Sequence, residues 1–265
     1  MPRLPLALAF AALLAGPAAA HEFWIEAGDY TPPSGAAITG QLKNGQEFTG
    51  KNQVYFRSHF TRFDMVRGDT VLPVAGKGGD LPALAMVPPE DGLWSVVHET
   101  TPRTVVYESW DKFEAFAAHK DFPDIRARHA ARGLREAEFT ESYTRHVKAL
   151  IGTGDAEGAD ADTGMETEFV ALLNPYTDSM AAGLPVRLLY QGAPRGDAQV
   201  EIFDRAPDGG VTISTTRTDA AGLAVIPVAP GHVYLLDAVV LRPAPEGSRG
   251  VWETLWAALT FAVPQ

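Results

Sequence analysis

The chain has 265 residues, 46% of them hydrophobic and 21% charged, with 22 basic against 33 acidic side chains and a formal net charge of −11. A surface this acidic repels nucleic acid and anionic membranes. There is no cysteine, which excludes disulfides, a lipid-modified cysteine anchor and thiolate metal sites; soft-metal chemistry must use histidine, methionine or carboxylates.

Residues 1–20 read as a secretory signal peptide. Arg3 is their only charge, LPLALAFAALLAG is an apolar core too short to span a bilayer, and Ala18-Ala19-Ala20 is an A-x-A cleavage pattern. Cutting one residue earlier would put Pro17 at the −3 position, so the mature chain is expected to begin at His21. Processing removes Arg3 alone among the charges and leaves a formal charge of −12. The apolar run WETLWAALTFAV carries Glu253 and reads as a buried strand, so no membrane insertion is expected after cleavage. An exported, periplasmic product is the expectation.

Residues 21–109 form a β region. EFWIEA, AAITGQL, NQVYFRSHF, LWSVVHE and RTVVYES are short, β-rich and separated by turn signals such as TPPSG and VPPEDG. TTPR at 100–103 is expected to join two neighbouring antiparallel strands.

The period changes over residues 110–152. Trp110, Phe113 and Phe116 recur at helical spacing, and Pro123 and Gly133 bracket a second short helix. A third helix is expected further on, because Phe139, Tyr143, Val147, Leu150 and Ile151 make one helical stripe. Glu136, Glu138 and Glu141 near its start and Arg145 and Lys148 near its end match the helix dipole.

Residues 153–165 are an acidic linker. Counting a calcium loop from Asp155 puts Glu166 correctly at its last position, but Ala159 and Asp160 stand where a ligand and the obligatory glycine belong, so a solvated loop is expected. Residues 166–265 return to β: TEFVALL, PVRLLY, AQVEIF, VTISTTR, LAVIPV, VYLLDAVVL and TLWAALTFAV are evenly spaced, a sandwich signature. The expected fold is mainly β, with Ig-like or transthyretin-like β-sandwich regions and a helical insertion between them.

Several stretches together resemble the DUF4198 family of exported proteins: AHEFWIE, NGQEFTG, ESWDKFEAF, ESYTRHVKAL, TDAAG followed by PGHVYLLDAVVLRP, and WETLWAALTF, in that order along the mature chain. The resemblance implies a periplasmic component of nickel or cobalt uptake, of the NikK/NikM type, serving a membrane transporter or an outer-membrane receptor. It carries over His21 and Trp24 from the N-terminal motif. Where the family often has a histidine, this chain has Val240, and His232 stands where the family often has an aromatic residue. The C-terminal region also resembles transthyretin-like or carboxypeptidase-regulatory-like modules, through GAPRGDAQVEIF and TDAAGLAVIPVAPGHVYLL.

A histidine at a free N-terminus offers its α-amine and ring Nδ1 to one metal, a nitrogen pair suited to Ni(II) and Cu(II). His98 at a strand end and His59 in a β segment are the favoured partners for His21, and Trp24 is expected in the core. His119 and His129 are expected to be solvated, and His146 to pack. No nucleophile elbow, zincin helix or phosphate loop is present, so no enzyme activity is expected. The expected cargo is nickel or cobalt, with copper next. A metal-free binding or scaffold module is the alternative, and a copper histidine-brace oxidase the third reading.

Overall fold

A computed structural model describes residues 21–265; the signal peptide expected over 1–20 lies outside the described residues. The first strands are β1 (Glu22–Ala27), β2 (Ile38–Gln46), β3 (Thr49–Gln53), β4 (Phe60–Arg67), β5 (Thr70–Pro73), β6 (Leu84–Met86), β7 (Gly92–Thr100) and β8 (Arg103–Tyr107). Two helices follow, α1 (Trp110–His119) and α2 (Ile125–Ala131). Then come β9 (Phe139–Thr153), β10 (Thr167–Ala171), β11 (Leu184–Tyr190), β12 (Ala193–Pro194), β13 (Gln199–Arg205), β14 (Val211–Arg217), β15 (Leu223–Ile226), β16 (Val233–Pro243) and β17 (Trp252–Ala262). The chain is mainly β, with sandwiched sheets and two helices inserted between its β regions, as its strand periodicity implies.

One nine-stranded sheet runs through the molecule in the order β14-β13-β16-β17-β9-β7-β4-β5, with β8 also on β9. It draws strands from both halves of the chain, which meet where β17 lies parallel to β9 over Trp252↔Glu141 to Thr260↔Ala149. A small sheet of β1, β2, β3 and β6 covers part of one face, and another of β10, β11, β12 and β15 covers the other. Alternation along the central strands divides their side chains cleanly. Trp94, Val96, Val147, Ala149, Ile151, Leu235 and Ala258 pack under the first small sheet with Trp24, Ile25 and Leu42. Their neighbours Leu93, Leu150, Leu236, Ala257 and Leu259 pack under the second with Phe169, Val186 and Leu188. Helices α1 and α2 dock on the first face, through Trp110, Phe113 and Phe116 of α1 and Ile125 of α2 against Val239, Trp252 and Trp256.

The expected third helix is instead the 15-residue strand β9. Both its faces are covered, so nearly every side chain from Val147 to Thr153 is buried and the alternation of a half-exposed strand is absent. The stripe of Phe139, Tyr143 and Val147 fits a period of four and a period of two equally. Its charges serve tertiary partners: Glu141 accepts a hydrogen bond from Tyr107 Oη at 2.8 Å, and Lys148 Nζ lies 2.9 Å from Glu168 Oε2 and 3.2 Å from Asp160 Oδ1. That last contact also corrects the solvated linker, because the Asp160 side chain is fully enclosed and further accepts from Ser95 Oγ at 2.8 Å and the Ala171 amide at 2.9 Å.

TTPR does not join two mutually paired strands. Strand β7 pairs with residues 146–153 of β9 and β8 with residues 139–143, so the two follow one another along the same edge. Pro102 cannot donate to the ladder, and the break falls opposite Thr144 and Arg145, where Thr100 Oγ1 accepts from the Arg145 amide at 3.0 Å.

Candidate functional site

Between the first small sheet and α1, the two layers covering the central sheet do not meet, and a cavity of about 530 Å³ opens there. Its floor is the central sheet at β7, β8, β9 and Trp256; its walls come from β1 to β3, the loop before β4, and α1. All three sequence-predicted ligands, His21, His59 and His98, line it. They arrive by different routes.

His21 is exposed and directly precedes β1. Two residues on, Phe23 shares its face of the strand and lines the same cavity, while Glu22 between them turns inward and is buried. Trp24 is fully buried in the core, as expected, with its ring edge-on to Phe48 at 5.6 Å.

His59 lies on a 3-10 turn, Arg57–His59, rather than in a β segment. β3 ends at Gln53, and the turn is closed by the His59 amide to Phe56 O at 2.8 Å and by Arg57 Nη1 to Phe60 O at 2.8 Å. The break between β7 and β8 holds this turn: the Thr101 amide donates to His59 O at 3.0 Å. The interruption in the ladder therefore fixes where His59 is presented.

His98 is 2% exposed near the end of β7, on the same face as Trp94 and Val96. Phe23, Phe60 and Phe63 surround its ring at centroid distances of 5.4, 5.3 and 4.9 Å. Its Nδ1 is buried and has no hydrogen-bond partner. Desolvation in this aromatic cage pushes its pKa down to about 3, so the imidazole is neutral and its lone pair is available at any ordinary pH. Among the described residues, no group of three or more His, Asp or Glu side chains stands ready to hold a metal. The three histidines share a cavity without forming a closed coordination sphere.

The other end of the cavity went unnoticed in the sequence. Glu141, Tyr143 and Arg145 project from β9, Arg103, Val105 and Tyr107 from β8, and Lys112 and Phe116 from α1. Arg145 is 8% exposed; its guanidinium carbon lies 3.8 Å from the Trp256 ring centroid and 5.1 Å from that of Tyr143. Burial lowers its pKa. Glu141 receives hydrogen bonds from Tyr107 and Thr254, and burial raises its pKa. A period-two reading of 139–151 would have put Glu141, Tyr143 and Arg145 on one face and flagged it.

Behind Trp256, Lys120 is buried against Glu201, Asp237 at 2.8 Å and Glu22 at 3.6 Å. Desolvation opposes its charge, but Asp237, Glu201 and Glu22 outweigh that and raise its pKa. Glu22 itself is pushed up to about 7, first by burial and then by Asp237. The remaining histidines are engaged elsewhere. His119 bonds Glu201 at 2.9 Å and His232 bonds Asp204 at 2.6 Å. His129, expected to be solvated, is 1% exposed: its Nδ1 accepts from Trp252 Nε1 at 2.9 Å and its Nε2 lies 2.9 Å from Arg135 O. It closes the helix-sheet core, where an apolar residue would leave the Trp252 indole unpaired. His146 packs, with burial lowering its pKa to about 4.

Among the described residues, no helix is long and apolar enough to cross a membrane. The model of a domain of unknown function, DUF4198, matches residues 18–242. No curated protein matches the chain. Among solved structures, the D0-D1 domain of Intimin is similar at 14% identity over 91% of this chain and 98% of that one, with a TM-score of 0.22.

Proposed function

The chain belongs to the DUF4198 family, and we propose that it is a periplasmic binding protein for a divalent transition metal, nickel or cobalt first and copper next, which it carries as cargo to a membrane uptake system. One observation carries this reading: His21, His59 and His98, far apart in sequence, line one cavity, and the buried one keeps an unpartnered ring nitrogen.

The chemistry follows from the two kinds of donor. His98 is a fixed, neutral ligand that has no proton to release on binding. His21 and His59 are exposed and free to close on it. Cleavage before His21 would add its α-amine and complete a chelating pair. A site that assembles on binding suits cargo, because the ligands that close it are also the ones that open it. Since His98 stays neutral, acid-driven release would act through the amine.

The test is a titration of Ni(II), Co(II) and Cu(II) into protein beginning at His21, into the same protein with one residue added before His21, and into His98→Ala. The extension and the His98 substitution should each weaken binding at least about tenfold, which is about 1.4 kcal/mol. Equal affinity in all three proteins would remove this site, and no binding in any of them would leave the family scaffold as a metal-free binding module.

A further inference from the structure

We infer that the end of the cavity away from the histidines is a binding site for the carboxylate of a small organic acid, with Arg145 as its anchor. This goes beyond the metal reading and does not depend on it.

Three cationic side chains are buried among the described residues: Lys120, Lys148 and Arg145. Both lysines are neutralised in place, Lys120 by Glu22, Glu201 and Asp237, and Lys148 by Asp160 and Glu168. Arg145 is not. Its Nη1 is buried without a partner, and no side-chain hydrogen bond or ion pair engages its guanidinium among the described residues. Nearby carboxylates make no contact with it: Glu141 accepts from the Tyr107 and Thr254 hydroxyls, and Asp237 and Glu22 face Lys120, so all three reach Arg145 only as a field. An isolated buried guanidinium cannot shed its proton to escape the penalty, so it calls for an anion.

The surroundings say which anion. A guanidinium offers a planar fork that matches a carboxylate in two parallel hydrogen bonds. Trp256 fixes the plane of that fork by stacking on it at 3.8 Å. Val105, Phe116 and Tyr143 supply apolar wall beside it, which an inorganic ion would not use and the body of an organic acid would. Arg103 and Lys112, both exposed, add positive charge at the rim of an otherwise acidic protein and would draw an anion inward. The cavity is far larger than a hydrated ion requires, since a water molecule occupies about 30 Å³.

The experiment uses chelator-treated, metal-free protein and calorimetric titration with benzoate and hexanoate, against benzamide, hexanamide and inorganic phosphate. The acids should bind with one-to-one stoichiometry, and the amides and phosphate at least about tenfold more weakly. Arg145→Met should weaken the acids at least about tenfold, and Arg145→Lys should restore part of the loss because a lysine keeps the charge without the fork. Amides binding as well as acids, phosphate outcompeting both, or no acid binding below about 10 mM would each overturn the inference. The acid-amide comparison needs no variant, so it decides the matter even if Arg145→Met does not fold. Failure here with metal binding intact would remove the acid site alone; loss of metal binding with acid binding intact would remove only the carrier reading.

Discussion

Arg145 and Lys148 lie three residues apart on β9 and point to opposite faces of one sheet. Both are buried cations. On the face closed by β10, β11, β12 and β15, Lys148 is saturated: Asp160, Glu168 and the Ala161 carbonyl at 2.9 Å surround it. On the face shared by the first small sheet and the helices, Arg145 and His98 both keep unpartnered nitrogens beside a cavity. The difference separates a charge that belongs to the fold from one that awaits something. On the closed face the buried cation is neutralised by carboxylates held under the covering layer; beside the cavity it is not.

The largest expected effect lies on the closed face. Lys148→Met leaves Asp160 and Glu168 buried together without their cation and should cost about 3–5 kcal/mol in denaturant unfolding. A loss near zero would mean that the triad is dispensable and the contrast between the faces is not one of charge.

His98 gives the next effect, read as a pH dependence. Its folded pKa of about 3 lies below the value of about 6.5 for an unfolded histidine, so the unfolded chain binds the proton first. The stability contributed by the neutral ring is complete above pH 6.5 and is lost as pH falls from there toward 3. His98→Phe keeps the aromatic cage filled and cannot titrate, so by pH 5 the wild type should have lost about 2 kcal/mol relative to the variant. Glu22 and His146 also titrate in this range, Glu22 with the opposite sign, but both proteins retain them and the comparison cancels them. Parallel pH profiles would show that the ring is solvated.

The smallest effect carries the sharpest sign. Arg145→Met should stabilise the ligand-free protein, by about 1 kcal/mol, because it removes an unpaired buried charge and leaves an apolar chain on Trp256. Destabilisation instead would mean that the field of Asp237 and Glu22 already satisfies Arg145, which would make it a structural cation like Lys148.

Much of the fold was legible because most strands show one face to solvent or lie between clear turn signals: EFWIEA and AQVEIF could be read directly. β9 was not, since enclosure on both sides erased its alternation and Phe139, Tyr143 and Val147 mimicked a helix. That one misreading hid Glu141, Tyr143 and Arg145, and with them half of the cavity. Asp160 was hidden differently: a run rich in glycine and aspartate looks solvated, and nothing local reveals that one carboxylate reaches Lys148. The histidines were legible as residues but not as neighbours. Their convergence depends on the β1-β2 pairing and on the interruption at Thr101 and Pro102, neither of which has a spacing rule.

The parallel seam between β9 and β17 has a consequence for how the chain is made. Among the described residues, β17 is the only neighbour of β9 along that edge, and it lies more than a hundred residues further along the chain. Until β17 is in place, the N-terminal half holds a long unpaired strand edge, the kind that recruits other chains. The two halves therefore cannot mature in turn like beads on a string; the sheet becomes whole only when β17 docks between β9 and β16.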